Sequence, residues 1–254
     1  MTRALTRTNF HSSRLIRVLA DLAILEAVEP GIAFAENLGL WLNLHDAINL
    51  CSAHNASAPV ASSGRKPVAS GAIGDEFART QAALVNSITQ SGVSSAGRAR
   101  IARPSPKPGG SIEDASAYEP YRRYYLAHQR DMALRVRPLR AHVRAVLAKA
   151  SPALIKLAAL DAVFDEILGD RESKVLSAIP LLLERRFGQL RKEHQHALLD
   201  APQEDNPAFW MKAGGWLARF CHEMQTVLLA ELDVRLQPTL GLIEAFNNEI
   251  TKHK

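Results

Sequence analysis

Residues 121–149 of the chain are YRRYYLAHQRDMALRVRPLRAHVRAVLAK. From Met132 onward the apolar residues of this stretch recur at alternating spacings of four and three, at Met132, Val136, Leu139, Val143, Val146 and, just beyond, Ala150. This spacing places one apolar stripe on a helix and is typical of the seam between packed helices in a coiled coil. We therefore expect a long helix over about 125–150 that packs this stripe against neighbouring helices.

The same stretch holds the excess positive charge of the chain. The full sequence of 254 residues contains 31 Arg or Lys and 26 Asp or Glu, for a net charge of +5. Residues 121–149 contain eight Arg or Lys and a single acid, Asp131, for a net charge of +7. The rest of the chain therefore contains 23 basic and 25 acidic residues and has a net charge of −2.

A row of arginines gives the predicted helix a cationic face. Residues 123, 130, 137 and 144 are seven apart, so they drift by only about 20° per step and line one side of a helix, beside the seam. Such a row can neutralise successive phosphates and bind nucleic acid in a salt-sensitive way, without reading the bases. The predicted nucleic-acid-binding residues are Arg122, Arg123, Arg130, Arg135, Arg137, Arg140, Arg144 and Lys149.

Two neighbouring groups of residues can add to such an interface. Four tyrosines near the start of the helix can stack on bases or over arginine planes; they are Tyr118, Tyr121, Tyr124 and Tyr125. The linker before the helix carries further cations at Arg98, Arg100, Arg103 and Lys107. These can supply mobile phosphate contacts, or the linker can be only a tether.

The charge pattern leaves two alternatives to nucleic acid open. The next predicted helix carries an acidic face that can pair with the arginines across an antiparallel hairpin; its members are Asp161, Asp165, Glu166 and Asp170. Four acids cannot neutralise eight bases, so a positive surplus remains even with full pairing. The surplus can instead dock an acidic protein partner.

Helical periodicity extends over most of the remaining chain. Further helices are predicted at about 12–28, 31–54, 75–90, 151–170, 171–199 and 207–250, with Pro138, Pro180 and Pro238 expected to kink or restart them. No strand alternation of useful length occurs. We expect an all-α fold: an N-terminal helical domain (1–91), a flexible basic Pro/Gly/Ser linker (92–116) and a C-terminal bundle (117–254). The bundle has about four long, partly kinked helices with coiled-coil-like packing.

Signals for catalysis, metal binding and membrane insertion are weak. His194 and His196 cannot share an ion on a helix, and Asp170, Glu172 and Lys174 match half of a metal-dependent nuclease site but are expected to be a helix start. Gly214-Gly215 lacks the lysine of a phosphate loop and is expected within a helix, close to its neighbours. We predict no enzyme, with a metal-dependent nuclease as the alternative, and no metal site or cofactor.

The sequence also favours a location in the cytoplasm. No apolar run is long enough to cross a membrane, and the basic N-terminus lacks the apolar core of a signal peptide. The two cysteines, Cys51 and Cys221, are typical of a reducing compartment. Both are expected to fill space on apolar helix faces.

Two stretches together resemble a known protein family. They are RTNFHSSRLIRVLADL…FAENLGLWLNLHDAINLCSAHN within 7–55, and residues 121–195, from YRRYYLAHQRDMALRVRPLRAHVRAVLAKASPALIKLAALDAVFDEIL to LLERRFGQLRKEHQ. They are similar to a proteobacterial family known as a domain of unknown function, which we identify as the F component of type III Zorya antiphage systems. The likeness covers roughly half of the chain and consists of whole helices, so it transfers no active-site residue.

The resemblance implies a cytosolic subunit of phage defence. In that family the gene accompanies a proton-driven inner-membrane motor pair and a second soluble subunit, the G component. We therefore expect a non-enzymatic component that binds phage DNA through the arginine-rich helix and a partner subunit through its helical seams. The alternative is an adaptor that docks an acidic partner without binding nucleic acid. A homodimer is also plausible from the 3–4 seam.

Overall fold

The computed structural model describes residues 13–22, 42–55, 70–90, 101–106, 115–200 and 206–252. Within these ranges the chain forms helices, turns and irregular segments and no strand, which confirms the all-α class. A short 3₁₀ turn, Ala115–Tyr118, precedes the fourth helix. The α-helices are α1 (Arg14–Asp21), α2 (Leu44–Asn55), α3 (Ser70–Thr89), α4 (Glu119–Leu147), α5 (Pro152–Leu176), α6 (Ile179–Asp200), α7 (Pro207–Trp210) and α8 (Trp216–Lys252).

Helix α8 is the central element of the bundle. It buries sixteen of its residues and packs against α1, α3, α4, α5 and α6. Each fully buried Leu, Val, Phe or Met side chain contributes about 1.5–3 kcal/mol through removal of apolar surface from water. Its most extensive contacts are with α4, whose predicted seam is buried from Met132 to Val146, with Ala150 half-buried.

Contacts at both ends show that α4 and α8 run parallel. Near their first turns the rings of Tyr121 and Phe220 meet edge to face, with centroids 5.6 Å apart. Beyond the far end of α4, the Ser151 hydroxyl donates to the Glu249 carboxylate near the end of α8, at 2.9 Å. The seam therefore faces α8 along its whole length, and the opposite side of α4 faces outward.

Helices α4 and α5 form the predicted antiparallel hairpin. Ser151 caps α5 by accepting a hydrogen bond from the Leu154 backbone N–H, and Pro152 occupies the first helical position, as the sequence indicated. Gln129 of α4 donates to the Leu176 carbonyl at the other end of α5, at 3.0 Å. These contacts fix the register of the two helices.

Two breaks between helices differ from the predicted ones, near 170 and near 210. Helices α4 and α8 continue through Pro138 and Pro238, whereas Pro180 is the second residue of α6 and marks a restart. The predicted break at 170 is wrong, because α5 continues to Leu176 and so places 170–174 inside a helix and not at its start. The predicted helix from 207 stops at Trp210 and a new one begins at Trp216.

Gly214 and Gly215 form the turn between α7 and α8, not part of a helix interior. Gly214 has a φ of 85°, the left-handed region that glycine adopts without the clash of a side chain. A Cβ on Gly215 would collide with the backbone carbonyl oxygen of Trp210. The close backbone approach expected at Gly215 is therefore present, but it lies between the turn and the preceding short helix α7, and not between two packed helices.

Residues on the two sides of the predicted linker share one hydrophobic core. Leu15 of α1 and both Ile73 and Leu84 of α3 are buried in the same cluster as the α8 side chains. From the linker itself the described residues are 101–106, an irregular segment in which Ile101 packs against this core. The boundary at 92–116 stays a prediction. Residues 31–41 of the predicted helix at 31–54, and the end of the predicted helix at 12–28, lie outside the described residues.

Among the described residues, no helix combines the length and the apolar character that a membrane span requires.

Candidate nucleic-acid interface

All eight predicted binding residues lie on α4 or just after its end, and the buried seam turns them away from α8. The structure divides them into three groups by their partners. Two arginines pair with carboxylates of α5, three pair with carboxylates of α4 itself, and two arginines and a lysine have no carboxylate partner among the described residues.

The first group joins α4 to α5. Arg140 donates to Asp161 at 2.6 Å and to Asp165 at 2.8 Å, and Arg144 donates to the same two carboxylates at 3.1 and 2.8 Å. The side chains of Arg140 and Arg144 are only 13% and 19% exposed. The predicted pairing across the hairpin is therefore confirmed for Asp161 and Asp165, whereas Glu166 and Asp170 are exposed.

The pairing affects the protonation of Arg140. Burial acts to lower the pKa of its guanidinium, but the hydrogen bond with Asp161 and the charges of Asp161 and Asp165 outweigh it and raise the pKa. Arg140 is therefore a permanent cation held by two anions. Pairs of this kind, removed from bulk water, are screened by salt less than surface pairs are.

The second group is paired along α4. Arg135 donates to Asp131 at 2.8 Å, and Glu119 contacts Arg123 at 3.0 Å and Arg122 at 3.6 Å. Such pairs, three or four residues apart on a helix surface, contribute only about 0.3–0.5 kcal/mol each. Arg122 and Arg123 are exposed, so a stronger anion can replace Glu119 at little cost.

The third group consists of Arg130, Arg137 and Lys149, which are exposed. Arg123, Arg130 and Arg137 form a row with a spacing of seven residues. At a rise of 1.5 Å per residue, the row from Arg123 to Arg137 is about 21 Å long. Five of the eight cations contact four carboxylates in all (Glu119, Asp131, Asp161 and Asp165), so the eight together keep a surplus of four positive charges on this side of the hairpin.

Apolar side chains lie beside this row. Leu134, between Arg130 and Arg137 along α4, is 68% exposed, and Val175 of α5 is 70% exposed. Because Gln129 bonds to the Leu176 carbonyl in an antiparallel hairpin, Val175 lies level with Arg130. The outward face, which we define as Arg123, Arg130, Leu134, Arg137 and Val175, is therefore both cationic and apolar.

The four tyrosines do not belong to this face, so the prediction that they stack on bases is wrong. All four are buried, because the first turns of α4 pack against α6 and α8. The Tyr118 hydroxyl donates to the Pro180 carbonyl at 2.6 Å, and burial raises the pKa of Tyr118 and of Tyr121 far above the usual value. Three of them lie in the first turns of α4 and Tyr118 directly precedes it, as the sequence indicated, but the sequence cannot distinguish a stacking surface from a core aromatic cluster.

Buried polar residues between α4 and α8 had no signal in the sequence. Glu231 is fully buried and accepts hydrogen bonds from Tyr125 at 2.7 Å, Gln129 at 3.0 Å and Arg235 at 2.7 Å. His128 is 1% exposed, its Nε2 has no partner within the described structure, and burial lowers its pKa to about 4. These groups lie behind the outward face and cannot reach a ligand bound there.

Of the predicted linker cations, only Arg103 falls within the described residues. It is half-buried, and its Nε is enclosed without a hydrogen-bond acceptor. Its charge reaches Cys221 of α8, where it acts to lower the pKa of the thiol against the larger opposite effect of burial. Arg103 therefore lies partly against the core, which does not fit the prediction of a mobile phosphate contact. Arg98, Arg100 and Lys107 lie outside the described residues.

The remaining sequence candidates occupy helix surfaces. Asp170, Glu172 and Lys174 follow one another along the second half of α5, and the ring of His194 stacks on Trp216 with centroids 6.1 Å apart. Cys221 is buried as expected, but Cys51 is exposed on α2, so the prediction that it fills space on an apolar face is wrong. In the described part of the chain no three His, Cys, Asp or Glu side chains are grouped so that they could hold a metal ion.

Comparison with known proteins places the chain in a family. No curated protein and no solved structure matches it. A family model described as Protein of unknown function (DUF3348) matches residues 1–248, nearly the entire chain. The protein therefore belongs to the DUF3348 family.

Proposed function

We propose that this protein is a non-enzymatic cytoplasmic component of a Zorya-type antiphage defence system, equivalent to its F component, and that it contacts phage DNA through the outward face of α4. The resemblance of residues 7–55 and 121–195 supports the link to Zorya systems. The surplus of four positive charges on the α4–α5 hairpin carries the proposal of DNA contact.

The number of available cations sets the strength of this contact. Arg123, Arg130, Arg137 and Lys149 can neutralise about four phosphates, which gives a slope of about −3.6 for log affinity against log salt. The row of about 21 Å corresponds to roughly six base pairs of duplex axis. With the tyrosines buried, nothing on this face reads a base, so binding is sequence-independent.

Four phosphate contacts give weak DNA binding, so we expect the protein to be held near DNA by a second binding site as well. We propose that a partner subunit, the G component, supplies it, since linking two weak sites raises the overall affinity without new contacts. The α4 seam is buried in the protein's own core and cannot bind a partner. Exposed apolar side chains of α2, Leu44 and Ile48, form a better candidate surface for the G component, the membrane motor or a second copy.

The test is fluorescence polarisation with a labelled DNA duplex of arbitrary sequence at several salt concentrations. We expect Arg123→Glu/Arg130→Glu/Arg137→Glu to abolish binding, and the wild-type slope to lie near −3.6. A matched control, Arg185→Glu/Lys192→Glu/Lys252→Glu, makes the same change in net charge at exposed cations of α6 and α8. Equal losses in the two triple variants would show that net charge, and not this face, drives binding.

A second candidate function follows from the apolar part of the face. Leu134 and Val175 are among the more exposed large hydrophobic residues of the described structure, and apolar surface flanked by arginines suits an acidic protein helix as well as a phosphate backbone. The protein is then an adaptor. Leu134→Asp distinguishes the two: it should abolish nuclease-resistant co-purification with the G component in the adaptor case, and should weaken DNA binding only slightly in the other.

A further inference from the structure

We propose that Asp161 and Asp165 of α5 act as an internal substitute for phosphate that occupies Arg140 and Arg144, and so restrains nucleic-acid binding by the protein. This inference rests on the proposed DNA contact of α4 and adds its regulation. When α5 releases these two arginines, the cationic surface gains two further phosphate contacts at its C-terminal end.

The geometry of the cluster supports this role. Two carboxylates and two guanidiniums lie within 2.6–3.1 Å of one another, with each aspartate shared by both arginines. Arg144 continues the seven-residue row of Arg123, Arg130 and Arg137, yet it is only 19% exposed whereas the other three are exposed. The row is therefore interrupted at the position where α5 presents its acids.

The chemistry of the aspartates matches that of the proposed ligand. A planar guanidinium fork binds carboxylate and phosphate oxygens with similar two-point geometry, so either anion can satisfy Arg140 and Arg144. The paired aspartates hold these arginines in an arrangement already suited to two anionic groups. A phosphate backbone that meets the outward face competes with the aspartates at this end of the row.

Among the acidic residues of α5 that the sequence predicted to pair with α4, only Asp161 and Asp165 contact its arginines. Glu166 and Asp170 lie on the same helix and are exposed, and no hydrogen bond or ion pair joins them to α4. Charge removal at these positions therefore changes the net charge by the same amount as removal at Asp161 and Asp165, but releases no arginine. They supply a matched control.

The experiment measures polarisation of the same labelled duplex with Asp161→Asn/Asp165→Asn and with the control Glu166→Gln/Asp170→Asn. Two added contacts should make the log–log salt slope steeper by about 1.8, from near −3.6 to near −5.4, in the first variant only. Circular dichroism checks that each variant is folded. If the double variant does not fold, Asp165→Asn, at the more exposed of the two aspartates, should give about half the change.

The outcomes separate this inference from the proposed function. If the wild type binds and both double variants behave alike, the aspartates do not restrain binding, although the DNA contact stands. A different outcome is that the wild type does not bind, Asp161→Asn/Asp165→Asn does, and Arg140→Gln/Arg144→Gln in that background abolishes the gain. This result would support restraint by the aspartates and would show that the outward face alone is insufficient for DNA binding. If no variant binds DNA, both the inference and the proposed DNA contact are wrong.

Discussion

The Tyr125 hydroxyl donates a 2.7 Å hydrogen bond to the Glu231 carboxylate, and both side chains are fully buried between α4 and α8. Burial and the neighbouring Glu231 charge raise the pKa of Tyr125 well above its usual value, so the donor is always protonated. Gln129 and Arg235 complete the hydrogen bonding of the buried carboxylate. This network fixes the rotation of α4 about its axis and thereby decides which of its residues face outward.

We predict that disrupting this network destabilises the protein in a graded way. Tyr125→Phe removes one donor to a buried anion and should lower the free energy of unfolding by about 1–3 kcal/mol. Glu231→Ala leaves Arg235 without its partner and should cost about 3–5 kcal/mol. Urea unfolding measures both changes. The control Glu244→Gln, at an exposed position of the same helix, should stay within about 0.5 kcal/mol of wild type.

A second prediction concerns acid stability. Burial lowers the pKa of His128 to about 4, against an ordinary value of 6.5, so the folded protein resists its protonation. Stability from this residue is complete above the ordinary pKa and is lost as the pH falls from 6.5 towards 4, because the unfolded chain takes up the proton first. The loss should reach about 2–3 kcal/mol at pH 4.5.

The pH effect is tested by urea unfolding at pH 7 and pH 4.5. Carboxylates also titrate in this range, so the relevant quantity is the difference between wild type and His128→Leu, which should lose less stability on acidification. The exposed His222, on α8, provides the control variant His222→Gln, which should follow the wild type. Equal acid sensitivity in wild type and His128→Leu would show that His128 is protonated in the folded state.

Much of the fold could be predicted from periodicity, whereas the candidate site could be predicted only in part. The seam from Met132 to Val146 and the cap at Ser151 follow from local patterns, and both are present. The pairing of Asp161 with Arg140 followed from opposite charges on adjacent helices. Which arginines stay unpaired depends on the register between α4 and α5. The pattern of charges along one helix does not determine that register.

Other features depended on tertiary contacts that no local pattern specifies. The tyrosines at the start of α4 have the same spacing whether they stack on bases or fill a core, and Tyr118 and Tyr121 pack against Phe187 and Phe220, which are distant in sequence. Pro138 and Pro238 carry a local tendency to break a helix, yet α4 and α8 continue through them because packing on both sides stabilises the helices. Cys51 belongs to an apolar sequence pattern that predicted burial. Helix α2, which carries this pattern, buries none of its described residues, so Cys51 is exposed.

We predict that the two cysteines differ in reactivity. Cys221 is buried, and burial raises the pKa of its thiol to about 11, so little thiolate is present at pH 8. Cys51 is exposed. An aromatic disulfide reagent should therefore label one thiol per chain rapidly in the native protein and both thiols in urea. Cys51→Ser should remove the rapid phase, and rapid labelling of that variant would show that the core around Cys221 opens readily.

The last prediction concerns the turn before α8, where glycine is required for two different reasons. Gly214→Ala forces a side chain into the left-handed region and should cost about 1–2 kcal/mol. Gly215→Ala meets the Trp210 backbone, which cannot move aside as a flexible side chain can, so we expect a larger loss and a displaced α7. Gly169→Ala in α5 is the control of opposite sign: a Cβ there meets no atom within 4 Å, and better helix propensity should stabilise the protein by up to about 1 kcal/mol. Thermal unfolding of the three variants would contradict this account of the turn if Gly215→Ala were as stable as wild type.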